Sequence, residues 1–232
     1  MRLMIGADLA PTALNIEEFK KGDIKSLLGD ELLALLEDAD YRIFNLERPL
    51  TDTNSPILKW GPCLSAPSQT ITAIKKMDIT LFTLANNHIM DHGVKGLEDT
   101  CMLLSRNNIK YVGVGKNIKD VSKTCILEKD GIKVGIYVCV EHEFSTAEEE
   151  KAGANPFDPL ETPDHIADLK NLCDYVIVLY HGGKEFYRYP SPSLQKVCRK
   201  LVEKGADLIL TQHSHCIGAM ETYLGKKIIY GQ

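Results

Sequence analysis

The sequence predicts an α/β protein built on a mostly parallel sheet with an antiparallel part. Short apolar β-type runs alternate along the chain with helix-patterned segments. Two pairs of β runs are joined by tight glycine-containing turns, Lys129-Asp130-Gly131 and Leu224-Gly225-Lys226, as antiparallel hairpins require. Several of the other runs stop abruptly at a single polar residue.

Leu3–Ala7 is an apolar run closed by Asp8, and Glu31–Glu37 (ELLALLE) has helical spacing with Asp30 as its N-cap. Tyr41–Leu46 reads as a strand ending at Glu47. Pro67–Lys76 reads as a helix, with the proline in the first turn, where a missing N–H costs nothing. Ile79–Leu84 is a β-branched strand ending at Ala85-Asn86-Asn87-His88. Gly96–Arg106 is helical, and Lys110–Val114 and Lys123–Glu128 are short strands. The first hairpin turn leads into Ile132–Val140. Thr162-Pro163-Asp164 opens a helix with a cap and an N1 proline, and Tyr175–Tyr180 (YVIVLY) is a buried-type strand ending at His181. Ser191-Pro192 opens a helix whose Leu194, Val197, Cys198, Leu201 and Val202 fall on one face, and Gly205 stops it. Asp207–Leu210 is a strand running into Thr211-Gln212-His213, and Ala219–Tyr223 with Lys227–Tyr230 form the last hairpin.

A length of 232 residues suits a single domain over 1–232 with a sizeable core. With 44% apolar and 25% charged residues, disorder, collagen and coiled coil are excluded. A formal net charge of −5 leaves no basic footprint for nucleic acid, and no apolar run is long enough for a membrane span. The seven cysteines are odd in number and contain no CxxC pair, so they read as buried free thiols of a reducing compartment, which predicts a cytoplasmic protein. The chain stops at Ile228-Ile229-Tyr230-Gly231-Gln232, directly after a β run. That predicts a missing C-terminal continuation, or a partner that completes the sheet, and an uncovered apolar edge near Ile228–Tyr230.

The polar residues at the strand ends carry the chemistry. Asp8, Glu47, Asn87, His181 and the pair His213 and His215 each follow a β run at once. In α/β sheets the C-terminal strand ends line one crevice where ligands bind. Two carboxylates, one amide and three imidazoles make a set of N and O donors suited to Mn²⁺, Fe or Zn²⁺.

These motifs together resemble a known family. Asn87-His88 after a strand and His213-Ser214-His215 are similar to the Asn-His and Gly-His-x-His signatures of calcineurin-like metallophosphoesterases. Asn45-Leu46-Glu47-Arg48-Pro49-Leu50-Thr51 resembles one branch more closely, the CapA or poly-γ-glutamate capsule synthesis family, with Arg48 where that family has Gly. Ala85-Asn86-Asn87-His88 with Asp91-His92-Gly93, His181-Gly182-Gly183-Lys184-Glu185 and Gly205-Ala206-Asp207 fit the same branch. The resemblance implies a four-layer α-β-β-α sandwich with a site for two divalent metal ions. By position, Glu47 takes the place of the bridging carboxylate, Asp8 and His215 hold one metal, and Asn87, His181 and His213 hold the other. His88 takes the place of the histidine that protonates the leaving oxygen or stabilises charge beside the metals. Asp91 either orients His88 or caps the following helix. The broader phosphoesterases carry a further His ligand where this chain has Ala10, so the first-metal site is expected to be weak.

The resemblance implies a metal-dependent hydrolase, a phosphoesterase acting on an anionic small molecule or polymer in capsule or poly-γ-glutamate synthesis. The alternative is a non-catalytic metal-binding accessory subunit of a polymer synthesis or export complex; a homo-oligomer fits either. Some residues keep two readings. Glu141-His142-Glu143 points into the crevice or is a solvated loop, and Lys184, Glu185 and Arg188 recognise an acidic substrate or are solvated charges. Trp60 stacks on a ligand or covers the core, whereas His92 and His165 read as surface residues.

Overall fold

The computed structural model describes residues 1–141 and 144–232. It divides into two compact units, one of residues 2–111 and one of residues 112–232 with Met1.

The N-terminal unit contains β1 (Leu3–Leu9), α1 (Ile16–Lys21), α2 (Ile24–Asp38), β2 (Tyr41–Leu46), α3 (Ile71–Lys76), β3 (Leu81–Thr83), α4 (Gly93–Arg106) and β4 (Lys110–Val112). Its four strands form one sheet in the order β1-β2-β3-β4, with β1, β2 and β3 parallel. The first strand runs two residues further than its apolar run. Its register against β2 slips between Ile5↔Ile43 and Asp8↔Asn45, so β1 carries an extra residue and Asp8 lies within the strand. α2 also exceeds the Glu31–Glu37 expectation. It begins at an Asp23 cap that accepts from Ser26 N at 3.1 Å, and it kinks at Gly29, where φ is 72°. Asp30 follows that kink and pairs with Lys25 at 3.0 Å rather than capping a helix. The Pro67–Lys76 segment divides into a 3₁₀ turn, Ser68–Thr70, and α3.

The C-terminal unit contains β5 (Val114–Gly115), α5 (Ile118–Val121), β6 (Cys125–Lys129), β7 (Ile132–Val140), β8 (Gly153–Ala154), α6 (Glu161–Leu172), β9 (Tyr175–His181), α7 (Pro192–Glu203), β10 (Leu208–Gln212), β11 (Met220–Tyr223) and β12 (Lys226–Tyr230). Its main sheet has the order β11-β12-β10-β9-β7-β6. The four inner strands are parallel, and each edge strand is the antiparallel arm of a hairpin. Both hairpin turns hold two residues at positive φ, Asp130 and Gly131 in one, Leu224 and Gly225 in the other, which matches the right-handed twist of the strands. β12 is therefore an inner strand, with Ile228 and Tyr230 buried. The uncovered edge expected there does not exist, because β11 folds back over it.

α7 starts as its sequence requires, with Pro192 at N1 and Ser191 Oγ accepting from Leu194 N at 3.1 Å. α6 does not. Its cap is Asp158, whose Oδ1 accepts from Leu160 N at 2.7 Å and Glu161 N at 3.1 Å, while Thr162 Oγ1 accepts in return from Asp158 N at 3.0 Å. The core of the unit packs Ile166 and Leu169 of α6 and Cys198 and Leu201 of α7 with Val176, Val178, Ile209 and Ile228 of the strands. Burial pushes the Cys198 thiol up to about 12, and Cys139 is raised well above its ordinary value for the same reason, so neither is a nucleophile. All seven cysteines are free; three are buried, and Cys63, Cys101, Cys125 and Cys216 are half-buried instead.

Asp207 ties the bottom of this sheet together. It accepts from Val176 N at 2.8 Å, Lys170 Nζ at 2.8 Å and Lys226 Nζ at 2.6 Å. Burial alone would raise its carboxyl, but the two lysines and the backbone N–H outweigh it and hold the group below 3.8. A depressed carboxylate stabilises the fold fully above its unfolded value and loses that effect as pH falls through the folded one. Asp207→Asn should therefore lower stability at pH 7 by about 1–2 kcal/mol. The gap from wild type should close in denaturation curves taken below the ordinary carboxylate value of 3.8.

Candidate functional site

Three expected ligands lie in the N-terminal unit. Because β1, β2 and β3 are adjacent and parallel, their C-terminal ends share one edge of the sheet. Asp8 is the penultimate residue of β1, Glu47 follows β2 directly, and Asn87 lies in the turn after β3. Two buried asparagines fix these ends relative to one another. Asn45 Nδ2 donates to Asp8 Oδ1 at 2.7 Å, and Asn86 Nδ2 donates to Asn45 Oδ1 at 3.0 Å and to the Leu46 carbonyl at 2.9 Å. Asn86 Oδ1 then accepts from His88 N at 3.0 Å and Ile89 N at 2.8 Å, which sets the turn that carries Asn87. Sequence reasoning gave Asn45 and Asn86 no role. Their signal was their place inside the two motifs, one residue or two ahead of a candidate ligand.

His88 sits against a buried charge cluster. Its Nδ1 is 2.6 Å from Asp91 Oδ2, which also accepts from Leu64 N at 2.6 Å. Lys59 Nζ donates to Asp91 Oδ1 and lies 3.2 Å from His88 Nδ1. Asp91 is wholly buried. Of its two possible roles, it contacts His88; the N-cap position of α4 belongs to His92. His92 itself is buried rather than on the surface, because its Nδ1 accepts from Ser55 N at 3.1 Å. Sequence reasoning missed Lys59 altogether, since a lysine in a polar loop reads as solvated.

The three histidines lie in the C-terminal unit. β9 and β10 are adjacent and parallel, with Gln212 in register with His181, so His181 and His213 leave the sheet side by side. Their ring centres are 5.1 Å apart, and those of His213 and His215 are 5.9 Å apart. His213 has φ of 90° and His215 of 52°, both in the left-handed region that β-carbons disfavour. Backbone held that way at two neighbouring histidines is a mark of a functional segment. With metal–nitrogen bonds near 2.1 Å, two imidazoles on one tetrahedral ion have centres about 5 Å apart. The His181–His213 spacing fits that geometry, and the donors of both units are those that divalent transition metals take.

The residues left with two readings divide. Glu141 Oε2 accepts from Gly183 N at 2.8 Å, which puts it beside the end of β9. His142 and Glu143 lie outside the described residues. Glu185 Oε1 is 3.8 Å from His213 Nε2, and Lys184 Nζ lies 4.2 Å from the centre of the Tyr187 ring. Trp60 is exposed and covers no core. His165 is half-buried, with Nδ1 3.2 Å from Tyr137 Oη. Among the described residues, no helix is long and apolar enough to cross a membrane.

The chain is 29% identical over 204 residues to the capsule biosynthesis protein CapA of Bacillus anthracis, covering 84% of this chain and 50% of that protein. It is 29% identical to the PGA biosynthesis protein CapA of Bacillus subtilis, covering 83% and 52%. A probable polyglutamine synthesis accessory protein of Mycobacterium tuberculosis is 27% identical, covering 87% and 57%. The chain thus spans about half the length of the curated relatives it matches. Among solved structures, a phosphatase from Mycoplasma pneumoniae superposes with a TM-score of 0.56 at 17% identity, covering 100% of this chain and 71% of that one. A 5′-nucleotidase precursor from Thermus thermophilus superposes with a TM-score of 0.57 at 15% identity, covering 99% and 48%. These likenesses show the metallophosphoesterase-like α/β fold. The family model described as bacterial capsule synthesis protein PGA_cap matches residues 3–232, and the chain belongs to that family.

Proposed function

We propose that the chain is a metal-dependent hydrolase of phosphoester or related bonds, using the metal ligands that the family resemblance implies. The observation that carries the reading is His88, whose Nδ1 is held by buried Asp91 so that Nε2 is the nitrogen left to work. By the family resemblance, Glu47 would be shared by the two ions, with Asp8 and His215 holding one and Asn87, His181 and His213 the other. Two such cations clamp a phosphoryl group and make a water molecule nucleophilic near neutral pH. His88 Nε2 would give its proton to the departing oxygen. Lys184 and Arg188, in the loop after β9, attract an anionic substrate, which the family places in capsule or poly-γ-glutamate synthesis. The free cysteines favour a cytoplasmic site of action.

The test is metal content and turnover together. The protein loaded with Mn²⁺, Fe²⁺ or Zn²⁺ should hold two ions, the Asp8 ion more weakly because position 10 is Ala10. It should turn over at least one member of a panel of phosphomonoesters, phosphodiesters and γ-glutamyl peptides. Glu47→Gln should lower occupancy at both sites, as read by elemental analysis after gel filtration. Ala10 and the accessory-protein description of the mycobacterial relative favour a second reading, a metal-binding subunit without turnover in a polymer synthesis or export complex. Bound metal with no turnover across the panel would select it.

A further inference from the structure

We propose that Lys59 is a positioning residue for His88, acting through Asp91 from a closed loop of residues 52–66. The proposal rests on the hydrolase reading for its kinetics but not for its geometry. The loop is closed at its base, where Thr51 N donates to the Ala66 carbonyl and Ala66 N to the Pro49 carbonyl, each at 2.9 Å. Along it, Leu58 and Trp60 are almost fully exposed, at 101% and 94%, while the Lys59 side chain between them is 4% exposed. Lysine is seldom buried unless paired. Here its partner is the carboxylate that holds His88.

Both oxygens of that carboxylate are occupied, and the loop supplies most of the donors. Lys59 Nζ takes Oδ1; Leu64 N–H, from the same loop, shares Oδ2 with His88 Nδ1. With both oxygens pinned, the carboxylate plane cannot turn, so the direction of the imidazole is fixed. The other loop anchors converge on the same short segment. Ile57 N donates to the Asp91 carbonyl at 2.9 Å, and Ser55 bonds His92 Nδ1 and the His92 carbonyl.

The experiment uses Lys59→Met and Lys59→Arg in the metal-loaded chain, with phosphate release from glycerol 2-phosphate as the readout, because its alkoxide needs a proton to leave. Lys59→Met should lower kcat roughly 10–100-fold, the scale of a misdirected catalytic group. KM and bound manganese should stay within about twofold, and Lys59→Arg should recover most of the loss, because positioning leaves binding unchanged. Amide hydrogen exchange at Leu64 and Ile57, whose N–H groups bond Asp91, reports whether the loop has moved. A kcat equal to wild type in Lys59→Met, or no recovery with arginine, overturns the proposal. If the wild-type protein has no turnover, the hydrolase reading fails and the ring ¹⁵N spectrum of metal-free protein at fixed pH decides. The His88 pair of nitrogen shifts should then move in Lys59→Met while those of His181 stay in place; an unchanged His88 pattern overturns the positioning role. Lys59→Leu, which also lacks a donor, takes the place of the methionine variant with the same readings if that variant does not fold.

Discussion

Replacing Asp91 with alanine should destabilise the N-terminal unit by about 3–5 kcal/mol, the cost of stranding one member of a buried ion pair. Lys59 would be left as a buried cation beside a histidine ring, and Leu64 N–H would lose its acceptor. Urea unfolding followed by far-ultraviolet circular dichroism measures this directly. The double variant Lys59→Met with Asp91→Leu should be more stable than Asp91→Ala alone, since no charge is then left without a partner. Additive losses in that pair would mean that the two side chains do not interact.

His88→Ala should keep the bound metal and lower turnover by about 10²–10⁴-fold, the usual loss when a general acid is removed. The contrast with Glu47→Gln is the informative part. A bridging ligand lost should empty the sites, whereas a proton donor lost should leave them full. Substrates with good leaving groups should suffer least in His88→Ala, because their departing oxygen needs no proton. Elemental analysis beside a leaving-group series separates the two variants. Equal activity in wild type and His88→Ala would instead support the accessory-subunit reading.

The parts of this molecule legible in its sequence are those written in one dimension. Tyr175–Tyr180 is apolar throughout because β9 is covered on both faces, and the two glycine turns fix the antiparallel edges. The polar residue that closes or follows each of β2, β9 and β10 lies at the C-terminal end of its strand, as the sequence reading expected. What was not legible depends on partners distant in the chain. The bulge at Asp8 comes from register against β2, and a lone strand carries no mark of it. The cap of α6 went to Asp158 because Thr162 is drawn into accepting from its backbone. The Glu31–Glu37 pattern does not show that α2 begins at Ile24 and passes through Gly29 with a kink. Lys59 and His92 look solvated by type, and only the return of the 52–66 loop buries them.

The inner position of β12 sets a timetable for the newborn chain. β10 can pair with β9 as soon as both have been made, but its other side waits for Lys226–Tyr230. From Gln212 to Tyr230 are 18 residues, about 1–4 s of synthesis at ribosomal rates of about 5–20 residues per second. For that interval Leu208–Gln212 offers a bare row of backbone groups to whatever else is nearby, including a neighbouring copy on the same message. The four-stranded sheet, complete by Val112, faces no such delay. Slowing translation over residues 213–230 should therefore send more of the product into aggregates, while the same pause placed between residues 113 and 124 should not.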